Sequence, residues 1–262
     1  AIRHMGKTIF VQLRDGYGAV QLYLRKDEMG EEPFAEFLHL FDMGDWVQAS
    51  GSLFRTKTGE VSVRSTAVTM LSKSLNAPPD KFHGLQDIEI RYRQRYADLI
   101  ANAEVRRVFE IRSKLVSAFR EYLDGHGYLE VETPVLQPLY GGAAARPFTT
   151  HHNALDQTFY LRIADELYLK RLVVGGFERV YEISKDFRNE GVDRNHSPEF
   201  TMLEFYEAFA DYRTMMERVQ GLVRNAAKRI FGGQVFETQG QMIDLTGDWP
   251  RISRRDAILE KS

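Results

Sequence analysis

Over the first 72 positions, apolar residues recur at every second place, the period of a strand with one buried face. Residues 8–14 put Ile9, Val11 and Leu13 on one face, and 19–24 put Val20, Leu22 and Leu24 there. The Asp15-Gly16-Tyr17-Gly18 turn between these runs predicts a hairpin. Over 33–41 the period changes, with Phe34, Phe37, Leu38 and Phe41 at helical spacing. Alternation returns at 46–55 and 60–71 around Lys57-Thr58-Gly59, predicting a second hairpin. Hairpin, helix, hairpin suits a five-stranded OB-fold β-barrel whose first strand is partly missing, with an SH3-like barrel as the structural rival.

Residues 73–103 are predicted to be a connector, because Asn76-Ala77-Pro78-Pro79-Asp80 continues neither strand nor helix. Within it Arg91, Arg93 and Arg95 alternate with Tyr92, Gln94 and Tyr96, as either a solvated face or a polyanion contact. A second domain is predicted over 104–262. It opens with a helix over 104–124 carrying the stripe Val105, Val108, Phe109, Leu115, Phe119, Tyr122 and Leu123, stopped by Gly125 and Gly127. A strand over 128–131 runs into Thr133-Pro134, and a short helix over 166–174 closes at Gly175-Gly176. Strands are predicted over 177–187 and 199–209. A helix capped by Asp211 runs to Phe231, and a β-like tail from Gln234 ends without closure.

Composition narrows this little. The chain has 262 residues, 43% hydrophobic and 27% charged, as a globular protein of one or two domains would. Its 35 Lys and Arg against 37 Asp and Glu leave a net charge of −2, so no global basic field is present, although a local patch remains open. The absence of Cys excludes disulfides, thiol nucleophiles and thiolate-bound zinc. No apolar run is long enough for a membrane helix, so no membrane partner is expected. The first residues show no signal peptide, and the lack of an initiator Met predicts that the native start is missing.

The chemistry concentrates in 187–209. On a strand over 199–209, Phe200, Met202, Glu204 and Tyr206 share one face, while Leu203, Phe205 and Phe209 make the core face. An aromatic plate, a carboxylate and a phenol suit a flat ring and a cation, unless the strand is simply half exposed. Arg188 and Glu190 are two apart, either a phosphate or carboxylate fork or a surface pair. Arg194 and His196 offer further phosphate contacts. The Gly141-Gly142 stretch is either a plain loop or a close approach to a ligand. Glu166 heads a helix, where the dipole alone favours a carboxylate. The neighbours His151-His152 point opposite ways on a strand and make a poor metal pair. Neither a P-loop nor a GxGxxG fingerprint is present, so a nucleotide would have to be held by side chains on a sheet.

The stretches 161–191 (LRIADELYLKRLVVGGFERVYEISKDFRNEG), 195–212 (NHSPEFTMLEFYEAFADY) and 80–99 (DKFHGLQDIEIRYRQRYADL) closely resemble class II aminoacyl-tRNA synthetases, and among them the lysyl-tRNA synthetases. The resemblance implies an α+β chain: an OB anticodon-binding domain (1–72), a connector (73–103) and the N-terminal part of a class II antiparallel sheet domain (104–262). It implies the substrates ATP, L-lysine and tRNA(Lys), with Mg²⁺ as cofactor, cytoplasmic location, and a homodimer formed through the motif 1 region. By position, Arg188 resembles the arginine bridging the lysine carboxylate and the ATP α-phosphate. Glu190 resembles the reader of the adenine edge, Phe200 the plate under adenine, and His196 a contact to the distal phosphates. Gly142, Glu166, Glu204 and Tyr206 resemble the lysine pocket, which Arg188 shares. Arg3, Phe10, Gln21 and Glu60 resemble anticodon contacts; without the resemblance Phe10 would be placed in the barrel core. Asp165 stands where the family commonly has Pro, and Ser197 where it has Asn. The family's third motif and its acidic Mg²⁺ ligands have no counterpart in the chain, so no metal ligand is expected here. The complete protein is expected to continue past Ser262. The other expectations are a tRNA-binding protein without catalysis and a paralogue that transfers lysine-like groups.

Overall fold

The structure is a computed structural model that describes residues 1–76, 78–79 and 85–260. Ala77 and 80–84 of the predicted connector, and the chain end at 261–262, lie outside the described residues. The chain divides into two compact units, Ala1–Arg107 and Val108–Ser262.

In the first unit, β1 (Ile2–Met5), β2 (Thr8–Arg14) and β3 (Ala19–Arg25) are followed by helices α1 (Lys26–Met29) and α2 (Glu31–Leu40), then β4 (Trp46–Arg55) and β5 (Val61–Ser72). The sheet order is β1-β2-β3-β5-β4, with β3 and β5 parallel and the other pairs antiparallel. Both predicted hairpins form, and β1 pairs with β2 over four residues. The first turn closes because Asp15 Oδ1 accepts from the backbone N–H of Tyr17 and Gly18. One face of β2 and β3 delivers Ile9, Val11, Leu22 and Leu24 to a core closed by Phe34 and Phe37 of α2. Gly51 sits at a register shift of β4, where a Cβ would lie 2.0 Å from the Arg64 carbonyl oxygen, so only glycine fits that bulge.

The predicted connector holds two short helices, α3 (Ile88–Arg93) and α4 (Arg95–Ala101). The alternation of Arg with Tyr and Gln left a solvated face and a polyanion contact as the two alternatives. Instead Arg91 Nε and Arg95 clamp the fully buried Asp98, which also accepts from Asn102 Nδ2 at 2.6 Å. Arg93 pairs with Glu89 on the surface.

α5 (Ala103–Gly125) follows the predicted stripe in part. Ala118 and Leu123 are buried, while Val108 and Phe109 are 64% and 45% exposed. The second unit continues with β6 (Leu129–Glu130), β7 (Leu136–Gln137), β8 (Thr149–His152), β9 (Gln157–Leu161), α6 (Glu166–Val174), β10 (Arg179–Phe187), β11 (Glu199–Glu207), α7 (Tyr212–Phe231), β12 (Val235–Thr238), β13 (Gln241–Asp244) and α8 (Arg254–Leu259). β10 and β11 pair antiparallel along nine residues, and the short β6 adds to β10 in parallel, so this sheet is mixed. Leu123, Tyr128, Tyr181 and Leu222 form the core against it, with Leu203 and Phe205 of β11. Each such buried side chain contributes about 1.5–3 kcal/mol.

Phe209 is not core: β11 ends at Glu207, and Phe209 turns into a left-handed conformation (φ 61°) and is 99% exposed. The tail is not β-like throughout. After the hairpin β12–β13 it ends in α8, whose cap Ser253 accepts from Asp256 N–H.

Glu207 joins three elements. It accepts from Tyr128 Oη at 2.7 Å, Arg179 Nε at 2.8 Å, and Arg218 Nε and Nη2 at 3.0 and 3.1 Å. The Arg218 bonds, with Tyr128 and Arg179 and against burial, hold its pKa at about 2, below the ordinary 4.5. A lowered carboxylate pKa stabilises the fold above pH 4.5, and that contribution is lost as pH falls from about 4.5 toward 2. Glu207→Gln is expected to cost about 3–5 kcal/mol at neutral pH and to flatten that acid limb; chemical denaturation at a series of pH values measures both.

Candidate functional site

The antiparallel register of β10 and β11 builds the site. Asp186 faces Phe200, Ser184 faces Met202, Glu182 faces Glu204 and Val180 faces Tyr206. Side chains directly opposite lie on the same face of a sheet, so the predicted row Phe200, Met202, Glu204, Tyr206 adjoins a second polar row, Glu182, Ser184, Asp186. The second row was missed, although its signal, polar residues at every second position of 182–186, is visible in the sequence.

Arg188 follows directly on β10. Its backbone N–H donates to Pro198 O at 2.9 Å, which ties the two ends of the intervening loop. Its guanidinium lies 5.1 Å over the Phe200 ring and reaches Ile163 O at 3.5 Å, while Nε is buried without a hydrogen-bond partner. Glu204 Oε2 is likewise buried without a partner. Burial raises the Glu204 pKa, and nearby Asp165 and Glu166 raise it further against the Asp165 backbone N–H and Arg188. Burial, with Glu204 and Glu166, pushes the Tyr206 phenol up as well. Lys170 pairs with Glu166 at 2.6 Å and sits 6.0 Å over the Tyr206 ring.

Gly142 packs directly against this group, with φ 88°. A Cβ there would stand 2.9 Å from Glu166 Cβ and 3.1 Å from Ala164 Cβ. The glycine-rich stretch is therefore not a free loop: Asn189 N–H donates to Arg146 O at 2.8 Å, and Arg146 N–H reaches Glu190 Oε1 at 3.4 Å. Phe200, Arg188, Gly142, Glu166, Glu204 and Tyr206 thus come together, with Glu190 at the rim. His196 stands in an exposed turn, where Asp193 Oδ1 accepts from its backbone N–H at 2.9 Å and the ring Nδ1 lies 2.8 Å from the same carboxylate. Among the described residues, no group of three His, Asp or Glu side chains is spaced to hold a metal ion.

The first unit presents a separate face. Arg3 pairs with Phe10, Phe10 with Tyr23 and Tyr23 with Arg64, a row across β1, β2, β3 and β5. Phe10 turns away from Ile9 and Val11, so it is not among the buried core residues. The Phe10 and Tyr23 rings lie 5.2 Å apart, Tyr23 and Phe54 5.5 Å, and Arg64 covers Phe54 at 5.0 Å. One step along, Gln21 Nε2 donates to Glu60 Oε2 at 3.1 Å and Gln21 Oε1 accepts from Ser62 Oγ at 3.0 Å. All four predicted residues lie on this face. Tyr23, Phe54 and Arg64 were missed because the strand pairing that brings them beside Phe10 joins residues distant along the chain, which local periodicity does not show.

Residues 87–262 match the family described as tRNA synthetases class II (D, K and N), and residues 1–71 match the OB-fold nucleic acid binding domain. The lysine–tRNA ligase of Aromatoleum aromaticum is 53% identical over 98% of this chain and 51% of its own length. The enzyme of the same name from Roseiflexus castenholzii is 56% identical over 100% of the chain and 54% of its own length, and that from Dichelobacter nodosus 55% over 98% and 52%. The chain spans about half the length of the curated relatives it matches.

Gly142→Ala is expected to displace the head of α6, because the new methyl meets Glu166 Cβ and a strained φ together. Faster amide hydrogen exchange over 166–170, with unchanged exchange in β10, is the expected outcome.

Proposed function

The chain belongs to the class II tRNA synthetases (D, K and N), and on that premise we propose that the whole protein is a lysine–tRNA ligase. It joins lysine to AMP and then to the 3′ end of tRNA(Lys). The observation that carries this is the pair of buried, unpartnered atoms of opposite charge, Arg188 Nε and Glu204 Oε2. A donor and an acceptor left unpaired in a partly buried site suit a ligand carrying both a carboxylate and an ammonium. Lysine adds a second ammonium, for which Glu166 and the Tyr206 phenol supply a carboxylate and a hydroxyl.

In this proposal Arg188 holds the lysine carboxylate against the ATP α-phosphate. A carboxylate oxygen attacks phosphorus in line, and pyrophosphate leaves. A hydroxyl at the tRNA 3′ end then attacks the lysyl carbonyl, and AMP leaves. Orientation and charge neutralisation carry the first step, and Arg188 contributes to both. Phe200 bears the adenine ring, Glu190 reads its edge and His196 meets the distal phosphates. Mg²⁺ would neutralise phosphate charge in such chemistry, and among the described residues no group of three His, Asp or Glu side chains is spaced to hold it.

Residues 1–72 bind the anticodon, 73–103 connect, and 104–262 belong to the catalytic domain. Phe10 stacks on a base and Gln21 and Glu60 hydrogen-bond to bases, with Arg3 beside them, in the manner of single-strand readers on OB folds. The exposed Val108 and Phe109 of α5 support a homodimer through that helix. No described helix is long and apolar enough to cross a membrane, and a cytoplasmic site of action is proposed with the activity.

In the full-length protein, Arg188→Ala is expected to lower lysine-dependent ATP–pyrophosphate exchange about 10²–10³-fold. Absence of such exchange in the unaltered protein would overturn the proposal. Phe10→Ala is expected to weaken tRNA(Lys) binding by about 1–3 kcal/mol while exchange without tRNA stays unchanged, read by filter binding and by the exchange assay.

A further inference from the structure

Arg162 places its guanidinium among three buried carboxylates. Its Nη1 lies 2.7 Å from Glu182 Oε1 and 3.1 Å from Asp165 Oδ1, and its Nε lies 3.3 Å from Asp186 Oδ1. None of these four side chains is more than 4% exposed. The three acids are not equally served. Glu182 also accepts from Thr133 N–H at 3.2 Å and Thr133 Oγ1 at 2.7 Å, which suits a full negative charge. Asp165 Oδ1 and Asp186 Oδ2 have no hydrogen bond at all. Arg162 Nε donates to Lys185 O at 2.9 Å and does not hydrogen-bond Asp186.

Ser184 Oγ stands 2.6 Å from Asp165 Oδ2 and 3.4 Å from Asp186 Oδ1. A hydroxyl has one hydrogen, so it donates to one acid at a time. Both contacts become hydrogen bonds only when one of the two acids carries a proton, which that acid donates to Ser184 Oγ while the hydroxyl donates to the other. The other charged or titratable groups around the pair are Glu204 and the neutral Tyr206 phenol on β11, Arg188 after β10, and, beyond Glu204, Glu166 on α6, whose charge Lys170 meets. With Glu166 and Lys170 cancelling, Asp165, Asp186, Glu182 and Glu204 face only Arg162 and Arg188. An excess of buried negative charge is relieved by a proton in the empty protein and by an ammonium in the occupied one.

We propose that Asp165 and Asp186 share one proton behind the pocket and release it to solvent when an ammonium settles beside Glu204, so that they act as positioning residues coupling lysine affinity to pH. This rests on the lysine reading of the pocket. Burial chiefly, with a like charge beside each acid (Asp186 for Asp165, Glu204 for Asp186) and against Ser184 and Arg162, raises both carboxyls to about 6. A cation alongside lowers both, so binding expels the proton, and lysine affinity rises as pH climbs through about 6. Lysine keeps both ammonium groups charged in that range, so the released proton comes from the protein.

The test uses the full-length protein. Titration calorimetry with L-lysine at about pH 6, in two buffers of different ionisation enthalpy, is expected to show release of roughly half a proton or more. The KM for lysine in pyrophosphate exchange is expected to fall about threefold or more between about pH 5.5 and 7.5. In Asp165→Asn and Asp186→Asn the proton release and the pH dependence of KM should both vanish. A purely structural role would change activity at every pH and leave the slope. No proton release from the unaltered protein, or a full slope in both variants, would overturn the proposal. Should neither variant fold, ¹³C carboxyl shifts of Asp165 and Asp186 in the ligand-free protein decide: midpoints near 6 support the shared proton, and both below about 4.5 overturn it. The same titration judges the shared proton if the protein binds no lysine, an outcome that defeats the lysine reading instead.

Discussion

The second unit depends on burying one arginine well. Arg162 follows β9, donates its backbone N–H to Val135 O, and accepts from Phe187 N–H at the end of β10. Its side chain then crosses to Thr133 and to Glu182, Asp165 and Asp186. One residue therefore sets where β10 lies relative to the strand before it, to the Thr133 segment and to the head of α6. A buried guanidinium is tolerable only when its donors are met, and a buried carboxylate only when a cation or donor meets it. That mutual requirement makes the arrangement specific as well as stable. Shifting β10 by one residue would bury Lys185 and expose Glu182, exchanging a compensated cluster for an uncompensated one.

The site follows from that placement by geometry alone. Once β10 is fixed, the register of β11 brings Phe200 opposite Asp186 and Glu204 opposite Glu182. The opposite face carries Tyr181, Ile183, Leu203 and Phe205 into the core. A paired sheet with one greasy and one charged face can anchor a polar pocket in a dry setting, where unpaired charges such as those of Arg188 and Glu204 act at full strength. The first unit uses the same division: Ile9 and Val11 face inward while Phe10 faces outward in a row with Arg3, Tyr23 and Arg64.

Much of this was legible in the residues. Period-two alternation marked both hairpins of the first unit and both long strands of the second, and Asp211 and Gly232 marked the ends of α7. What failed did so for identifiable reasons. Arg91 and Arg95 read as surface or polyanion-facing cations because their shared buried partner, Asp98, becomes visible only once the chain turns through α3 and α4. Phe209 continued an apolar pattern past the point where the ladder stops, and nothing local marks that point. The tail helix α8 is only six residues long, too short to show a period.

The sequence by itself determined the long strands and helices, the apolar face of the paired strands, and the family to which the chain belongs, because these depend on local periodicity and on long stretches of matching residues. It did not determine which charges meet. Arg162, Asp165, Glu182 and Asp186 are spread over 25 positions of the chain, and only the tertiary structure collects them around one guanidinium. Coulomb interactions and desolvation depend on distance in space and on exclusion of water. Neither is encoded by neighbours along the chain, so the electrostatics of this site became visible only once the strands were paired.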